Sequence, residues 1–430
     1  MRAWIHALLL CSGAASLAAQ QPDSTTAAIP QITLAEAVRR ALDVQPAMVQ
    51  AEGATRNAYA ARRSAYGTFL PTVTVGGSAS LNSQSRVDLN GGSIPPVWTY
   101  GSNLAASVDL FTGLRRVWNL RAASAGVGAA EAGGVTQRYQ VTLLTSQAFY
   151  NGIATEELVR VAEAQVKRAE SQLDVSVRKL NAGSATRSDS LRAAVDLGNA
   201  RIALLQAQAN LASAQANLGR QIGADQPVRA IPDSQLPPLP DTAAMRSAAL
   251  ESAPSVRQAD AQARAARATV LVNRTQYIPS LRVSYGMNRR DTLFANTLVG
   301  NPTHSWQFSL SWTVFNGFTR EQSQVAANVQ RDIAEAQAAD TRRAVNAQLT
   351  QQIAALETAF AQVEIAAVNV DAATEDLRVQ QERYNVGAGT FLDLLTSQAN
   401  LTQIQTNLVQ ARFNYLIARA QLEALLGRSL

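Results

Sequence analysis

Two periodicities alternate along the chain. In TVTVGGSASLN, residues 72–82, Val73, Val75, Gly77, Ala79 and Leu81 interleave with Thr72, Thr74, Gly76, Ser78, Ser80 and Asn82. In SWQFSLSWTVF the same alternation sets Trp306, Phe308, Leu310, Trp312 and Val314 against Ser305, Gln307, Ser309, Ser311 and Thr313. Leu104, Ala106, Val108 and Leu110 behave alike, as do Leu281, Val283, Tyr285 and Met287. A period of two predicts strands with one apolar and one polar side. Four are expected, at 72–82, 103–111, 280–288 and 305–314. On the pattern alone, the apolar side could cover a soluble core or face lipid.

The rest of the chain is helical in period. Leu349, Ile353, Leu356, Phe360, Val363, Ala367, Val370, Thr374, Leu377, Gln381 and Tyr384 step by alternating four and three, which is a heptad seam. Leu394, Leu401, Leu408, Tyr415 and Leu422 then recur every seven residues. No proline interrupts 115–181 or 318–385, so each could form one helix about 100 Å long. The returning helices, 186–222 and 390–426, reach only about 55 Å. Segments 47–66 and 255–277 could supply the missing length, one in each hairpin.

These elements occur twice. A shift of 204 residues lays 173–223 on 377–427 without a gap, and sixteen of the fifty-one positions are identical. Phe111-Thr112-Gly113 falls on Phe315-Asn316-Gly317 at the same shift. The chain reads as a tandem duplication: a first repeat at 21–226, a Pro-rich linker at 227–241 and a second repeat at 242–430. The four-residue difference between the halves falls in the strand-connecting loops at 83–102 and 289–304, which carry the turn formers Asn90-Gly91-Gly92, Pro95-Pro96 and Asn301-Pro302.

One motif joins each long helix to its return: Asn181, Gly183, Thr186, Asp189 and, again, Asn385, Gly387, Thr390, Asp393. Its glycines suggest a phosphate loop, but such a loop follows a strand and usually brings a lysine. Here Gly183 and Gly387 suit the left-handed residue that ends a helix. Thr186 and Thr390 suit N-caps, with Asp189 and Asp393 completing capping boxes. The motif predicts hairpin tips near 181–189 and 385–393.

Composition narrows the chemistry. Of 430 residues, 16% are charged and 47% apolar, the balance of a folded chain. Residues 1–20 read as a secretory signal, with Arg2 before an apolar run and small residues after it. The sole cysteine, Cys11, lies in that segment behind Leu10, where a lipidation site would want a small residue. The net charge of +6 is diluted along the chain, and no basic cluster interleaves with aromatics, which argues against nucleic acid. His6 and His304 are the only histidines. No Cys/His metal site or histidine triad can be assembled, so neither an enzyme nor a cofactor is expected. No run after the signal approaches eighteen apolar residues, so a bilayer could be crossed only by a closed barrel. Four strands cannot close one; several chains must contribute.

The opening TLAEAVRRALDVQP, the YIPSL before a strand, SWTVFNG leading into a long helix and YNVGAGTFLDLLTSQANL at a tip together resemble the TolC-like outer-membrane efflux family. The resemblance spans the mature chain, with most elements present twice. It implies a mostly α fold of tandem helical hairpins forming a periplasmic tunnel, with four strands per chain entering a twelve-stranded barrel of a homotrimer. It also implies an outer-membrane exit duct for efflux or type I secretion, docked to a periplasmic adaptor and an inner-membrane transporter. Three copies of Asp189 and Asp393 would ring the tunnel mouth as a gate, with Tyr384 cross-bracing it. Gly183, Ser184, Thr186, Gly387, Ala388, Gly389 and Thr390 would form the surface the adaptor grips. Trp306 and Trp312 would anchor the barrel at the lipid interface. Two positions depart from the family's pattern: Gly389 stands where a gating Arg is expected, and Thr396 where a second Asp is expected. The chain also stops three residues past Gly427, where a C-terminal addition to an equatorial domain would be looked for. The alternatives are a periplasmic coiled-coil adaptor, which needs one hairpin and no strands, and a structural coiled-coil protein.

Overall fold

A computed structural model describes residues 29–81, 86–87, 93–94, 96–232, 236–241 and 253–430. The expected signal segment and the turn residues Asn90, Gly91, Gly92 and Pro95 lie outside the described residues. The first repeat runs β1 (Gln31–Ile32), α1 (Leu34–Val44), α2 (Pro46–Gly67), β2 (Thr72–Leu81), β3 (Arg86–Val87), β4 (Ser93–Ile94), β5 (Trp98–Phe111), α3 (Arg115–Asn181), α4 (Arg187–Gln221) and β6 (Arg229–Ala230). The second runs α5 (Pro254–Arg274), a 3-10 turn (Thr275–Tyr277), β7 (Ser280–Asp291), α6 (Asn296–Val299), β8 (Thr303–Ser311), α7 (Thr319–Asn385) and α8 (Phe391–Leu426).

α3 and α7 each hold 67 residues, about 100 Å of unbroken helix. Their seams explain why they persist. Leu349, Ile353 and Leu356 of α7 pack with Tyr415 and Leu422 of α8, all at most 2% exposed. Each buried leucine contributes about 1.5–3 kcal/mol. α3 packs against α4 and α8 towards the tips, and against α2 and α5 towards the strands; α5 also packs on α7. Each long helix therefore runs beside shorter helices stacked end to end. Among the described helices, α7 is long and apolar enough by composition to cross a membrane, which the sequence reading did not anticipate. At about 100 Å it would far overshoot a hydrocarbon layer of about 30 Å, and Leu349, Ile353, Leu356 and Val363 along it form the buried seam that holds α8.

The four strands form one antiparallel sheet in the order β2-β5-β7-β8. Their extents correct the sequence expectation. β5 begins at Trp98, paired with Leu81, and β7 continues to Asp291, paired with Tyr100. β8 stops at Ser311, opposite Ser280, so Trp312 and Val314 lie beyond the sheet rather than in it. The reason is local. Upstream of Ser280 the chain enters the 3-10 turn, so residues past Ser311 have no ladder partner. The Trp312 ring N–H donates to the Tyr277 carbonyl instead. Arg320 takes the carbonyls of Thr313 and Val314.

Both repeats turn from strand into long helix the same way. Gly113 and Leu114 have φ of 59° and 66°, and Gly317 and Phe318 have 65° and 63°. A left-handed non-glycine residue costs about 1–2 kcal/mol, so the turn is held from outside. Arg116 reaches back to the carbonyls of Thr68 and Leu110 and lies over Phe69; Arg320, 204 positions on, does the same with Thr313, Val314 and Tyr277. Between the repeats, the Tyr415 hydroxyl donates to the Pro237 carbonyl at 2.8 Å, fixing the linker to the second hairpin.

Candidate functional site: the hairpin tips and the strand sheet

At each tip a helix must stop and reverse. α3 does so with Gly183 at φ 74°: the Gly183 N–H donates to Leu180 O at 3.0 Å and the Ser184 N–H to Lys179 O at 2.9 Å. This pairing satisfies carbonyls that a helix end leaves free. α7 repeats it with Gly387 at φ 78° and bonds to Tyr384 O and Arg383 O. Each return helix then starts on a capping box. The Asp189 N–H donates to Thr186 Oγ1 at 3.2 Å, and Asp189 Oδ2 accepts from the Thr186 N–H at 3.1 Å. Asp393 and Thr390 exchange the same bonds at 3.1 and 3.2 Å. The Thr390 hydroxyl, the Thr390 N–H and, more weakly, the Arg383 charge hold the Asp393 carboxyl below the usual carboxylate range.

Gly389 has a steric explanation. Its N–H donates to Arg383 O at 3.1 Å, and a Cβ there would sit 3.1 Å from Arg383 Cβ and 3.4 Å from Tyr384 N. The loop closes too tightly on the last turn of α7 to admit a larger side chain without movement. Thr396 donates its hydroxyl to Leu392 O, one turn back.

Tyr384 is 6% exposed and joins Ala193, Phe391 and Leu394 in a core between the two hairpins. Its hydroxyl is buried without a partner. The sequence did not single out Lys179, whose ammonium donates to Tyr384 O and lies over the Tyr384 ring. Nor did it single out Arg168, which reaches Thr402 of α8 from α3 at 3.1 Å; burial lowers its pKa. Both clamp the first hairpin to the second. Each sits beside another charge, Lys167 or Arg178, so nothing in the local sequence singles it out.

The sheet's sides are chemically distinct. In register across it run Val75, Leu104 and Met287, and beside them Val73, Ala106, Tyr285 and Trp306. The other side carries Thr72, Ser107, Ser284 and Gln307, and an ion pair between Asp109 and Arg282 at 2.7 Å. Val75, Trp306, Phe308 and Leu310 are 69–82% exposed in the single chain. Trp306 packs on Tyr285 at 4.9 Å between ring centroids. Among the described residues no group of three or more His, Cys, Asp or Glu could hold a metal ion.

Comparison with known proteins places this arrangement. The chain is 25% identical over 297 residues to the toluene efflux pump outer membrane protein TtgC of Pseudomonas putida, covering 67% of this chain and 61% of that protein. The chain thus spans less than two thirds of that relative's length. It is 28% identical over 355 residues to the pyoverdine export outer membrane protein OpmQ of Pseudomonas aeruginosa, covering 76% of this chain and 70% of that one. Among solved structures, the outer membrane protein VceC of Vibrio cholerae superposes with TM-score 0.77 at 17% identity, over 92% of this chain and 96% of that one. The open-state MtrE channel of Neisseria gonorrhoeae does so with TM-score 0.77 at 20% identity, over 92% and 89%. The profile of the outer membrane efflux protein family matches residues 37–224 and again 245–428. With most of its length matched, and matched twice, the chain belongs to the outer membrane efflux protein family.

Proposed function

We propose that this protein is the outer-membrane exit duct of a tripartite efflux or type I secretion system, working as a homotrimer. One observation carries the reading: a four-stranded antiparallel sheet with exposed apolar residues on one side and two unpaired edges, β2 and β8. In lipid an open edge leaves backbone groups unsatisfied. The strands alternate in direction, so β8 of one copy can lie antiparallel to β2 of the next. Three copies close twelve strands, apolar side out. The helices support the same closure: α4 and α7 border the helical layer, and each exposes an apolar row, Leu191, Val195, Ile202 and Leu205 on α4 and Ile365 and Val368 on α7.

In the assembled duct, Asp189 and Asp393 ring the periplasmic mouth as its gate, with Tyr384 bracing from the core behind. Gly183, Ser184, Thr186, Gly387, Ala388, Gly389 and Thr390 face the periplasm for an adaptor, which couples the duct to an inner-membrane transporter. Trp306 and Trp312 anchor the barrel at its lipid interfaces. The repeats occupy 21–226 and 242–430 around a linker at 227–241, after a signal at 1–20; the doubled family match supports this division.

Mass of the detergent-extracted particle and labelling of single cysteines test the reading together. Cysteines at Val75 and Phe308 should react with lipid-phase reagents, and those at Thr74 and Gln307 with water-soluble ones, in a particle three chains in size. A monomer, or uniform labelling along β2 and β8, overturns it.

A further inference from the structure

The connection between β7 and β8 lies down on the sheet. Tyr100, Ser102 and Leu104 share one side of β5, and Ser102 stands opposite Arg289 of β7; this is the apolar side, by the strand period of two. The Ser102 hydroxyl donates to Thr297 O at 2.7 Å, and Arg289 Nη1 donates to Leu298 O at 3.0 Å. The Phe294 ring meets Tyr100 edge-on at 5.6 Å. Asp291 accepts from the Leu293 N–H at 3.0 Å and from Asn296 at 3.1 Å. Thr297 ends up 3% exposed. With its backbone tied down this way, the loop turns Leu293, Phe294, Leu298 and Val299 outward, 60–82% exposed. Gly300 completes the fold, because a Cβ there would lie 2.5 Å from Asn296 O.

We propose that this loop is a lipid-contacting element whose Leu293, Phe294, Leu298 and Val299 seat in the acyl chains of the outer leaflet. The proposal rests on the channel reading and adds an occupant for one patch. Three observations select lipid. The loop lies over one end of the two central strands, β5 and β7, rather than on the edge strands where another copy would join. It continues the apolar side formed by Leu104, Ala106 and Val108. It holds no charged residue from Thr292 to Thr303, and the two charged groups beneath it, Arg289 and Asp291, are turned to the loop's own backbone and to Asn296. Its height also fits: the ten residue steps from Leu110 to Tyr100, tilted by about 40°, rise about 25 Å, the thickness of an outer-membrane apolar band.

The test uses the full-length trimer in phosphatidylcholine vesicles, on a Cys11→Ser background. A polarity-sensitive fluorophore is attached to L298C or V299C, and to F308C and Q307C as lipid-side and lumen-side references. Quenching by brominated acyl chains is compared with quenching by aqueous iodide. The expected result is lipid quenching and blue-shifted emission at positions 298, 299 and 308, with iodide quenching at 307. Iodide quenching at 298 and 299, with 308 still lipid-quenched, overturns the proposal and leaves the channel reading standing. Blue-shifted emission quenched by neither agent means a protein covers the loop, and also overturns it. Loss of lipid quenching at 308 as well overturns the channel reading itself.

Discussion

The ammonium of Lys179 lies 3.9 Å from the centroid of the Tyr384 ring and donates to that residue's carbonyl oxygen. Lys179 ends α3 and Tyr384 ends α7, so one side chain ties the tip of the first repeat to the tip of the second. A cation over an aromatic face contributes about 0.5–1 kcal/mol when exposed, and a charged hydrogen bond somewhat more. Lys179→Met keeps the stem and removes the charge. It should loosen the pair of tips by about 1–2 kcal/mol, read as faster amide exchange in both hairpin loops and more frequent spontaneous openings in single-channel records. Unchanged exchange would make the contact incidental. A double-mutant cycle with Tyr384→Leu should show the two effects coupled.

The tip glycines differ in what they protect, so their substitutions should differ. Gly183 and Gly387 are left-handed, with open space where a Cβ would go. Alanine there should cost about 1–2 kcal/mol from backbone strain alone. Gly389 lacks a positive φ but is crowded by Arg383. Alanine at 389 should therefore be milder, and arginine should push the loop off α7. Thermal melts of the extracted protein rank the three; equal costs would refute the steric account of Gly389.

Arg116 and Arg320 perform the same task in the two repeats, yet should not be equally sensitive. The Arg320 side chain is only 11% exposed and also pairs with Glu321 at 3.2 Å. Removing it leaves the carbonyls of Thr313 and Val314 without their donor beside a left-handed Phe318. Arg320→Ala should cost roughly 2–3 kcal/mol, the range for a lost hydrogen bond to a charged donor, and should reduce trimer yield. Arg320→Lys should rescue it only partly, since an ammonium lacks the planar fork by which two guanidinium nitrogens each reach one carbonyl. Arg116→Ala should lose less. Heat dissociation of the trimer on a gel gives the order.

What was legible in the sequence was whatever repeats with a fixed period. Most heptad steps from Leu349 to Tyr384 fall on the buried side of α7, though Thr374 is exposed and Ala373 is buried in its place. Thr186 and Thr390 cap where the motif put them, because capping is local chemistry. Strand ends were less legible. Trp312 keeps the alternation of β8 but leaves the ladder, because its pairing is decided by where β7 starts, 32 residues earlier. Trp98 to Ser102 reads as part of a loop yet pairs with β2 throughout and, from Tyr100 on, with β7 as well. Lys179 and Arg168 were invisible because a clamp between hairpins depends on which helices become neighbours, and no single-strand or single-helix period encodes that.

The tip aspartates carry two roles that pH can separate. In each capping box the carboxylate accepts from the threonine N–H and hydroxyl; in the proposed trimer, six carboxylates would also attract cations at the mouth. For Asp393 the folded group is held below its ordinary range, chiefly by the Thr390 hydroxyl. A depressed folded pKa gives stability that is present above the unfolded value, near 3.9, and lost as pH falls through the folded value. Cap and charge at 393 should therefore survive mild acid. The Asp393 share of cation selectivity in single-channel records should persist through mild acid and fall only below the ordinary carboxylate range. Asp189→Asn with Asp393→Asn keeps an oxygen that can accept from each threonine N–H but loses the charge the helix start favours, so melting should fall only modestly, by about 0.5–1 kcal/mol per site, while selectivity drops at every pH. Thr390→Ala should do the opposite near neutrality, costing about 1 kcal/mol with selectivity intact, and should move the acid loss of selectivity to higher pH. A double Asn variant with wild-type selectivity would mean that the carboxylates serve the helices and not the passing ions.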